Sequence, residues 1–225
     1  MKNINRTTDE QILESIQNIY HIVPILYGDL FTIKRKDDSI LGRWLGWAIA
    51  VLSWIATGFK EWNINSRCFI FGGTLYLPNG FFDLEPLRQY GLLLHELAHV
   101  NHQIFDDPDF LFSNTTKRPR AIKGFWSRLW WNVKYVFSGP FRADAEKWGY
   151  LQQLRTTYDR YGYIPSQIES WFIETFCSGS YGWMLSREDA IDLFDRLEVQ
   201  VREEYKRSDW KDRLYLKHQL SLLES

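Results

Sequence analysis

The sequence predicts an α+β fold that is mostly helical, with a small β-hairpin or sheet ahead of the central helix. Apolar residues recur at helical spacing in several segments, and two short runs rich in aromatic and β-preferring residues flank Gly72 and Gly73. Hydrophobic residues make up 45% and charged residues 24% of the chain, which is the balance of a globular protein. The 225 residues contain no repeat, low-complexity tract or long linker, so a single domain over residues 1–225 is expected.

The N-terminal part predicts an amphipathic helix followed by a polar turn. Between residues 8 and 20, apolar side chains follow helical spacing at Ile12, Leu13, Ile16 and Ile19. Pro24 is expected to end this helix, because proline lacks the backbone donor that a helix interior needs. Residues 34–39 are polar and predict a turn.

An uncharged, Trp-rich segment occupies residues 44–59. As a helix it would reach only about 24 Å at about 1.5 Å per residue, which is shorter than the roughly 30 Å hydrocarbon core of a bilayer. We therefore expect a buried core helix here. A helix lying at a membrane interface and a transmembrane segment are the alternatives.

The strongest helical signal follows the predicted hairpin, for which we expect strands near residues 67–71 and 74–77. Asp83 and Pro86 predict the start of the central helix, because proline is favoured in a first helical turn. This helix carries residues 87–105. Later helices are expected from residue 141 or 142 to 160, over 166–176 and from 187 to about 207, and the tail from residue 209 is also helical in pattern.

Positive charge is concentrated in residues 110–143, which contain no Asp or Glu. The basic residues of this stretch are Lys117, Arg118, Arg120, Lys123, Arg128, Lys134 and Arg142. A predicted helix within it places large apolar side chains on one face, namely Trp126, Leu129, Trp130, Val133 and Phe137. The pattern is typical of a helix on a membrane surface, of a lid over a cleft, or of a helix packed on the core with its basic face in water.

An H-E-x-x-H motif lies inside the predicted central helix, at residues 95–99. Residues four apart share a helix face, so His95 and His99 can bind one metal ion. Glu96 is offset from His95 by about 100° round the helix, which places its carboxylate beside the metal rather than on it. There it can act as the general base toward a water whose pKa a zinc ion lowers toward about 7.

On this motif the chain resembles the zincin superfamily of zinc metallopeptidases, over roughly residues 68–154. The resemblance implies a bound Zn²⁺ and a zincin-like fold with a hairpin or sheet before the motif helix. Phe105 stands where the metzincin pattern requires a histidine, so the gluzincin-like branch, with a carboxylate from a later helix, is expected. Glu146 is the expected third ligand, since Gly149 supplies the small residue three positions on, and Asp144 is the alternative.

Further residues have expected roles around the metal. Whichever of Glu146 and Asp144 is not a ligand is expected to orient a ligating histidine. His102 lies roughly on the metal side of the central helix, and a phenol from Tyr150 or Tyr90 could stabilise an oxyanion. Substrates of such enzymes add as an extra strand at the sheet edge, and the predicted strand at residues 74–77 is the expected edge.

The sequence therefore predicts a zinc-dependent metallopeptidase that hydrolyses peptide bonds in a peptide or protein substrate, with Glu96 as general base. One alternative is a non-catalytic, zinc-stabilised module that binds a membrane surface or a protein partner. Another is a membrane-associated processing protease. The motif spacing does not distinguish them, because structural and catalytic zinc sites share ligand types.

Charge and cysteine content limit the expected partners and location. The formal net charge is -1, so the protein has no overall positive charge that would attract nucleic acid. No specific nucleic-acid partner is expected. Cys68 and Cys177 are too few for a disulfide scaffold, and no apolar signal region is visible near the start of the sequence. The expected location is cytoplasmic, with membrane association as an alternative.

Overall fold

The computed structural model describes residues 7–35, 44, 68–71, 73–110, 122–178, 184–207, 209–210 and 214. Across this part of the chain helices predominate and one small sheet is present, which confirms the predicted secondary-structure composition. The helices are α1 (Asp9–Tyr27), α2 (Pro86–Phe105), α3 (Phe125–Phe137), α4 (Gly139–Tyr161), α5 (Ser166–Cys177) and α6 (Arg187–Tyr205). The strands are β1 (Thr32–Arg35), β2 (Phe69–Phe71) and β3 (Thr74–Leu77).

The central strand of the sheet is β3, which pairs with β2 on one side and β1 on the other. The β2–β3 pairing is antiparallel, as the predicted hairpin requires, whereas β1 runs parallel to β3 with Thr32 opposite Thr74. The expectation that residues 74–77 form the sheet edge is therefore wrong. β1 includes Lys34 and Arg35, which the sequence assigned to a polar turn. Most of its side chains are exposed at the edge of the sheet, so it lacks the apolar pattern of a buried strand.

Helix α1 begins with a capping box, in which Thr8 and Gln11 each accept a hydrogen bond from the other's backbone N–H. The helix continues past Pro24 to Tyr27, so the expectation that Pro24 ends it is wrong. Proline removes a single backbone donor, and here it lies close to the end of the helix. The final turn still closes, because the Gly28 N–H donates to the Pro24 carbonyl oxygen.

Helices α2, α4 and α6 begin at a proline or after a capping serine, and α4 begins at Gly139, slightly before the expected start. Pro86 occupies the first turn of α2, where a missing N–H costs no helical hydrogen bond. Ser138 caps α4 by accepting a hydrogen bond from the Phe141 N–H at 3.3 Å. Ser186 caps α6 in the same way, through the Asp189 N–H at 3.1 Å. These caps fix where α4 and α6 begin.

Helix α2 lies at the centre of the fold, packed along α4 and against α1. Its side chains at Leu93, Leu94 and Leu97 are completely buried. The same core takes side chains from α1, β3, α4, α5 and α6, among them Ile12, Ile19, Leu75, Leu77, Leu151, Phe172, Phe176 and Val201. Close packing of this core fixes the position of α4 relative to α2.

Helix α3 packs on α2 and α4 through a face that the sequence pattern did not indicate. The predicted apolar face is turned outward, with Trp126, Trp130 and Phe137 all exposed. The buried residue of this helix is Trp131, whose ring stacks on Tyr135 at 5.3 Å between centroids. The expected basic amphipathic helix is thus present, but its aromatic residues lie on two opposite sides.

Two sequence predictions concern residues outside the described part of the chain. The helix expected over residues 44–59 is described at Trp44 alone, and most of the tail beyond residue 209 is not described. None of the helices that the structure describes combines the length and the apolar character needed to cross a membrane.

Candidate metal centre

Helix α2 presents His95 and His99 on one face, one helical turn apart. Both side chains are buried, and their Nε2 atoms lie 3.0 Å from each other. The helix continues for residues on either side of the pair, so the two Cβ positions are fixed by backbone hydrogen bonds rather than by a loop.

Glu146 of α4 completes a cluster with these histidines. Its Oε2 atom is 3.2 Å from His95 Nε2 and its Oε1 atom is 3.6 Å from His99 Nε2. The side chain is 2% exposed, so water contributes little to its solvation. Each of the three residues offers one ring nitrogen or carboxylate oxygen that could bind a metal. These three atoms all lie within 4.8 Å of one another.

These separations fit a shared metal ion. Two ligand atoms about 2.0–2.1 Å from a tetrahedral zinc would lie about 3.3 Å apart, close to the distances between the three side chains. Two imidazole nitrogens and a carboxylate oxygen are also a donor set that zinc takes in proteins. Crowding three electron-rich atoms in a buried site is unfavourable unless a proton or a cation lies among them. The three side chains could therefore hold a metal ion together.

Electrostatics prepare these groups for a cation. Burial alone would raise the pKa of Glu146. The hydrogen bond and charge of His95, together with the charge of His99, lower this pKa to about 2. Burial lowers the pKa of His99 to about 3, and the nearby His95 and His102 act in the same direction. Glu146 is accordingly ionised and His99 neutral at pH 7, which are the forms that bind metal. At His95 burial opposes protonation, yet the Glu146 carboxylate outweighs it and raises the pKa.

Gly149 allows α4 to approach His95 closely. A Cβ atom at this position would lie 2.6 Å from three carbon atoms of the His95 ring, a distance at which atoms overlap. The glycine lies one helical turn beyond Glu146, so the same stretch of α4 supplies a carboxylate and the space for an imidazole. Gln153, a further turn along, places its Nε2 atom 3.3 Å from His95 Nδ1. This second contact orients the ring.

Helix α3 covers another side of the cluster. The Tyr135 hydroxyl donates a hydrogen bond to Glu146 Oε1, and its ring lies 5.9 Å from that of His99. Trp131 stacks on Tyr135 and is 6.0 Å from the His99 ring. The sequence pattern gives no sign of Tyr135, because the apolar residues of α3 mark the opposite face. No local signal links this tyrosine to a carboxylate eleven residues later.

Asp144 lies away from the cluster. Its carboxylate is exposed and pairs with Lys147 at 2.5 Å. Because it is two residues before Glu146 on a helix, it points to a different side of α4. The structure thus brings Glu146, rather than the alternative Asp144, to the two histidines. The negative charge of Asp144 acts instead on the pKa of His102, which burial lowers overall.

The remaining sequence candidates occupy different surroundings. Glu96 is partly buried beside His95, close enough for its charge to favour protonation of that imidazole. Tyr150 is buried with its ring perpendicular to His95, at 5.0 Å between centroids. Tyr90 donates its hydroxyl hydrogen to the Leu214 carbonyl oxygen at 2.6 Å, which ties it to the C-terminal part of the fold.

His102 lies outside the cluster as well. Its ring packs 5.7 Å from Trp131 and 5.9 Å from Phe141, and its Nε2 atom is 3.8 Å from the Asp106 carboxylate. These contacts place it in the contact region between α2, α3 and the start of α4. Its surroundings suit a structural role in holding α3 against the central helix.

Comparisons of the chain with profiles of protein families, with curated proteins and with solved structures gave no match. The functional argument therefore depends on the residues themselves. They form a buried cluster of two imidazoles and one carboxylate, with a second carboxylate next to it on the same helix as the imidazoles.

Proposed function

We propose that this protein is a zinc-dependent metallopeptidase of the zincin type. His95, His99 and Glu146 are the zinc ligands in this proposal, and Glu96 is the general base. The observation that carries it is the position of Glu146, whose carboxylate meets both histidines of the H-E-x-x-H motif although α2 and α4 are separate helices. A carboxylate third ligand from a later helix is what the gluzincin-like resemblance implied.

The chemistry follows from the placement of two carboxylates. When bound, zinc supplies Lewis acidity, which lowers the pKa of water and polarises a peptide carbonyl. Glu146 has the ionised, buried carboxylate expected of a ligand. Glu96 follows His95 directly and is only partly buried, so its carboxylate can take a proton from the attacking water and give it to the leaving amine.

The burial of the cluster favours a second candidate function, a non-catalytic zinc site that stabilises a binding module. All three ligand side chains are buried, and Tyr135 occupies one oxygen of Glu146 through a hydrogen bond. Structural zinc sites are closed in this sense, whereas a catalytic site keeps one position for water or substrate. The two candidates make opposite predictions for a substitution at Glu96.

The test compares wild type with Glu96→Gln on a fluorogenic mixed peptide library, with zinc content measured on the same samples. We expect full zinc in both proteins and a loss of hydrolysis of at least about 10² to 10⁴-fold in the variant, the usual contribution of a general base. The amide has nearly the shape of the carboxylate but cannot accept the proton. Glu14→Gln, which removes the same charge from an exposed position on α1, is the matched control and should retain activity.

Two results would contradict the proposal in different ways. Zinc-loaded wild type that cleaves no peptide in the library would support the binding module. A Glu96→Gln variant that cleaves as fast as wild type would show that Glu96 is not the base, even with zinc present.

A further inference from the structure

A second feature of the molecule, independent of the metal centre, is the outward side of α3. This outer aromatic face consists of Trp126, Trp130 and Phe137, with the exposed Phe125 ring 5.5 Å from that of Trp126. Trp126 is 77% exposed and Trp130 59%, values unusual for the largest apolar side chain. Exposed apolar residues grouped on one helix face mark an interaction surface rather than scattered surface positions.

The segment that carries this face is rich in basic residues. Residues 110–143 contain seven Lys and Arg residues and no Asp or Glu. On the described part of the stretch, Lys134 is exposed on α3 and Lys123 lies just before the helix. The helical period places Lys134 along one border of the outer aromatic face, whereas the Lys123 ammonium pairs with the Asp106 carboxylate at 2.6 Å. Aromatic side chains bordered by lysines are the pattern of a helix that lies in a membrane interface.

We propose that the outer aromatic face of α3 binds the surface of a bilayer that contains anionic phospholipids. Trp and Phe would enter the boundary between headgroups and acyl chains, while Lys134 would remain among the phosphates. A helix of 13 residues is about 20 Å long, enough to lie flat on a bilayer and too short to cross it.

Charge argues for lipid rather than for a second copy of this chain. Joining two copies through this face would bring the Lys134 ammonium groups that border it into one interface, and like charges across an interface are repulsive. Anionic headgroups instead attract a lysine that lies near the bilayer surface, as Lys134 would. The exposed face is also that of a single convex helix with bulky side chains, which lipid can surround without a preformed groove.

The proposed docking would set the metal centre near the membrane. The side of α3 opposite the outer aromatic face carries Trp131 and Tyr135, which contact the His99 and Glu146 side chains. A helix with its side chains is about 10–12 Å thick, so the cluster would lie about that distance from the lipid. The lipid proposal itself does not depend on bound zinc or on peptidase activity.

Co-sedimentation with vesicles tests the proposal. Wild type should pellet with phosphatidylcholine vesicles that contain phosphatidylserine, and pure phosphatidylcholine vesicles should bind it more weakly. The double substitution Trp126→Ser and Trp130→Ser should reduce partitioning by at least about tenfold, because both side chains lose their apolar contact with lipid. Lys134→Gln should reduce it by about fivefold on the anionic vesicles alone.

The matched control replaces two exposed aromatic residues outside α3, Tyr161→Ser and Tyr163→Ser, and should bind vesicles like wild type. Raising the salt concentration should release wild type, since salt screens the lysine contribution without any substitution. The proposal would be overturned if wild type stays in the supernatant with anionic vesicles, or if the tryptophan and tyrosine variants bind equally. A concentration-dependent dimer that the two tryptophan substitutions abolish, without vesicle binding, would identify a second copy as the occupant and also overturn it.

Discussion

The Glu146 carboxylate is held among groups that define its charge and its direction. Two imidazoles and a phenol surround it, and its pKa of about 2 means that it stays ionised over the whole physiological range. The phenol of Tyr135 donates to one oxygen, which limits how the carboxylate can turn. A buried anion with such partners is costly unless it is compensated, and a divalent cation is the compensation that the two neighbouring imidazoles can share.

Assigning Glu146 as a zinc ligand predicts different losses of zinc affinity for two substitutions. Glu146→Gln should weaken zinc binding by more than about 100-fold, because an amide is a far poorer ligand than a carboxylate. Tyr135→Phe removes only a hydrogen bond to that ligand and should cost about 10 to 100-fold. Competition with a chelating dye of known zinc affinity measures both.

The control is Asp144→Asn, which changes the alternative ligand. This residue is exposed and pairs with Lys147, so the substitution should alter zinc affinity by less than about threefold. Equal, small losses in Glu146→Gln and Asp144→Asn would place the third ligand elsewhere in the chain.

The residues of the site differ in how far the sequence alone could identify them. His95 and His99 belong to one helical turn, so their convergence follows from local geometry. The position of Glu146 depends on how α4 packs against α2. Sequence spacing limits the third ligand to a short segment but does not distinguish Glu146 from Asp144. Tyr135 depends on the rotation of α3 about its axis, and tertiary packing alone determines that rotation.

At the level of elements, the candidate site depends on the contact between α2 and α4. Gly149 makes this contact close, since its missing side chain leaves space for the His95 ring. Gly91 on α2 lies similarly near α4, where an added Cβ would be 3.2 Å from Thr156 Oγ1. Small residues at facing positions let the two helix backbones approach each other.

This packing predicts the effect of Gly149→Ala. The added methyl group would overlap the buried His95 ring, and relief requires the ring or the helix to move. We expect unfolding in urea to show a loss of about 1–3 kcal/mol in stability, together with weaker zinc binding. The control is Gly124→Ala at the start of α3, where an added Cβ meets nothing within 4 Å. Equal stability of the two variants would indicate that Gly149 is not a packing requirement.

The elements that the sequence missed share a physical cause. β1 is an exposed edge strand with basic residues, so its apolar pattern is too weak to distinguish it from a turn. Its parallel pairing with β3 joins segments about forty residues apart, and local spacing carries no sign of it. Helix α1 does not end at Pro24, because a proline near the last turn removes one hydrogen bond without forcing a change of chain direction.

On the scale of the whole molecule, the central helix is at once the core and the support of the candidate site. α2 is packed on several sides, and its buried leucines share the helix with the two histidines. The fold therefore places the candidate site on its most constrained element, which would preorganise its donor side chains. Binding of metal would in turn link α2 to α4 and stabilise the folded state over the unfolded one.

The measurement that tests this account most directly is the zinc content of protein purified without added metal, determined by mass spectrometry before and after dialysis against zinc. The account predicts about one zinc per chain in wild type after dialysis, because the three donor side chains form one site. His95→Ala, which removes one donor, should hold far less under the same conditions. Wild type with less than about a tenth of an equivalent after dialysis, or a His95→Ala variant that retains full zinc, would contradict the proposed metal centre.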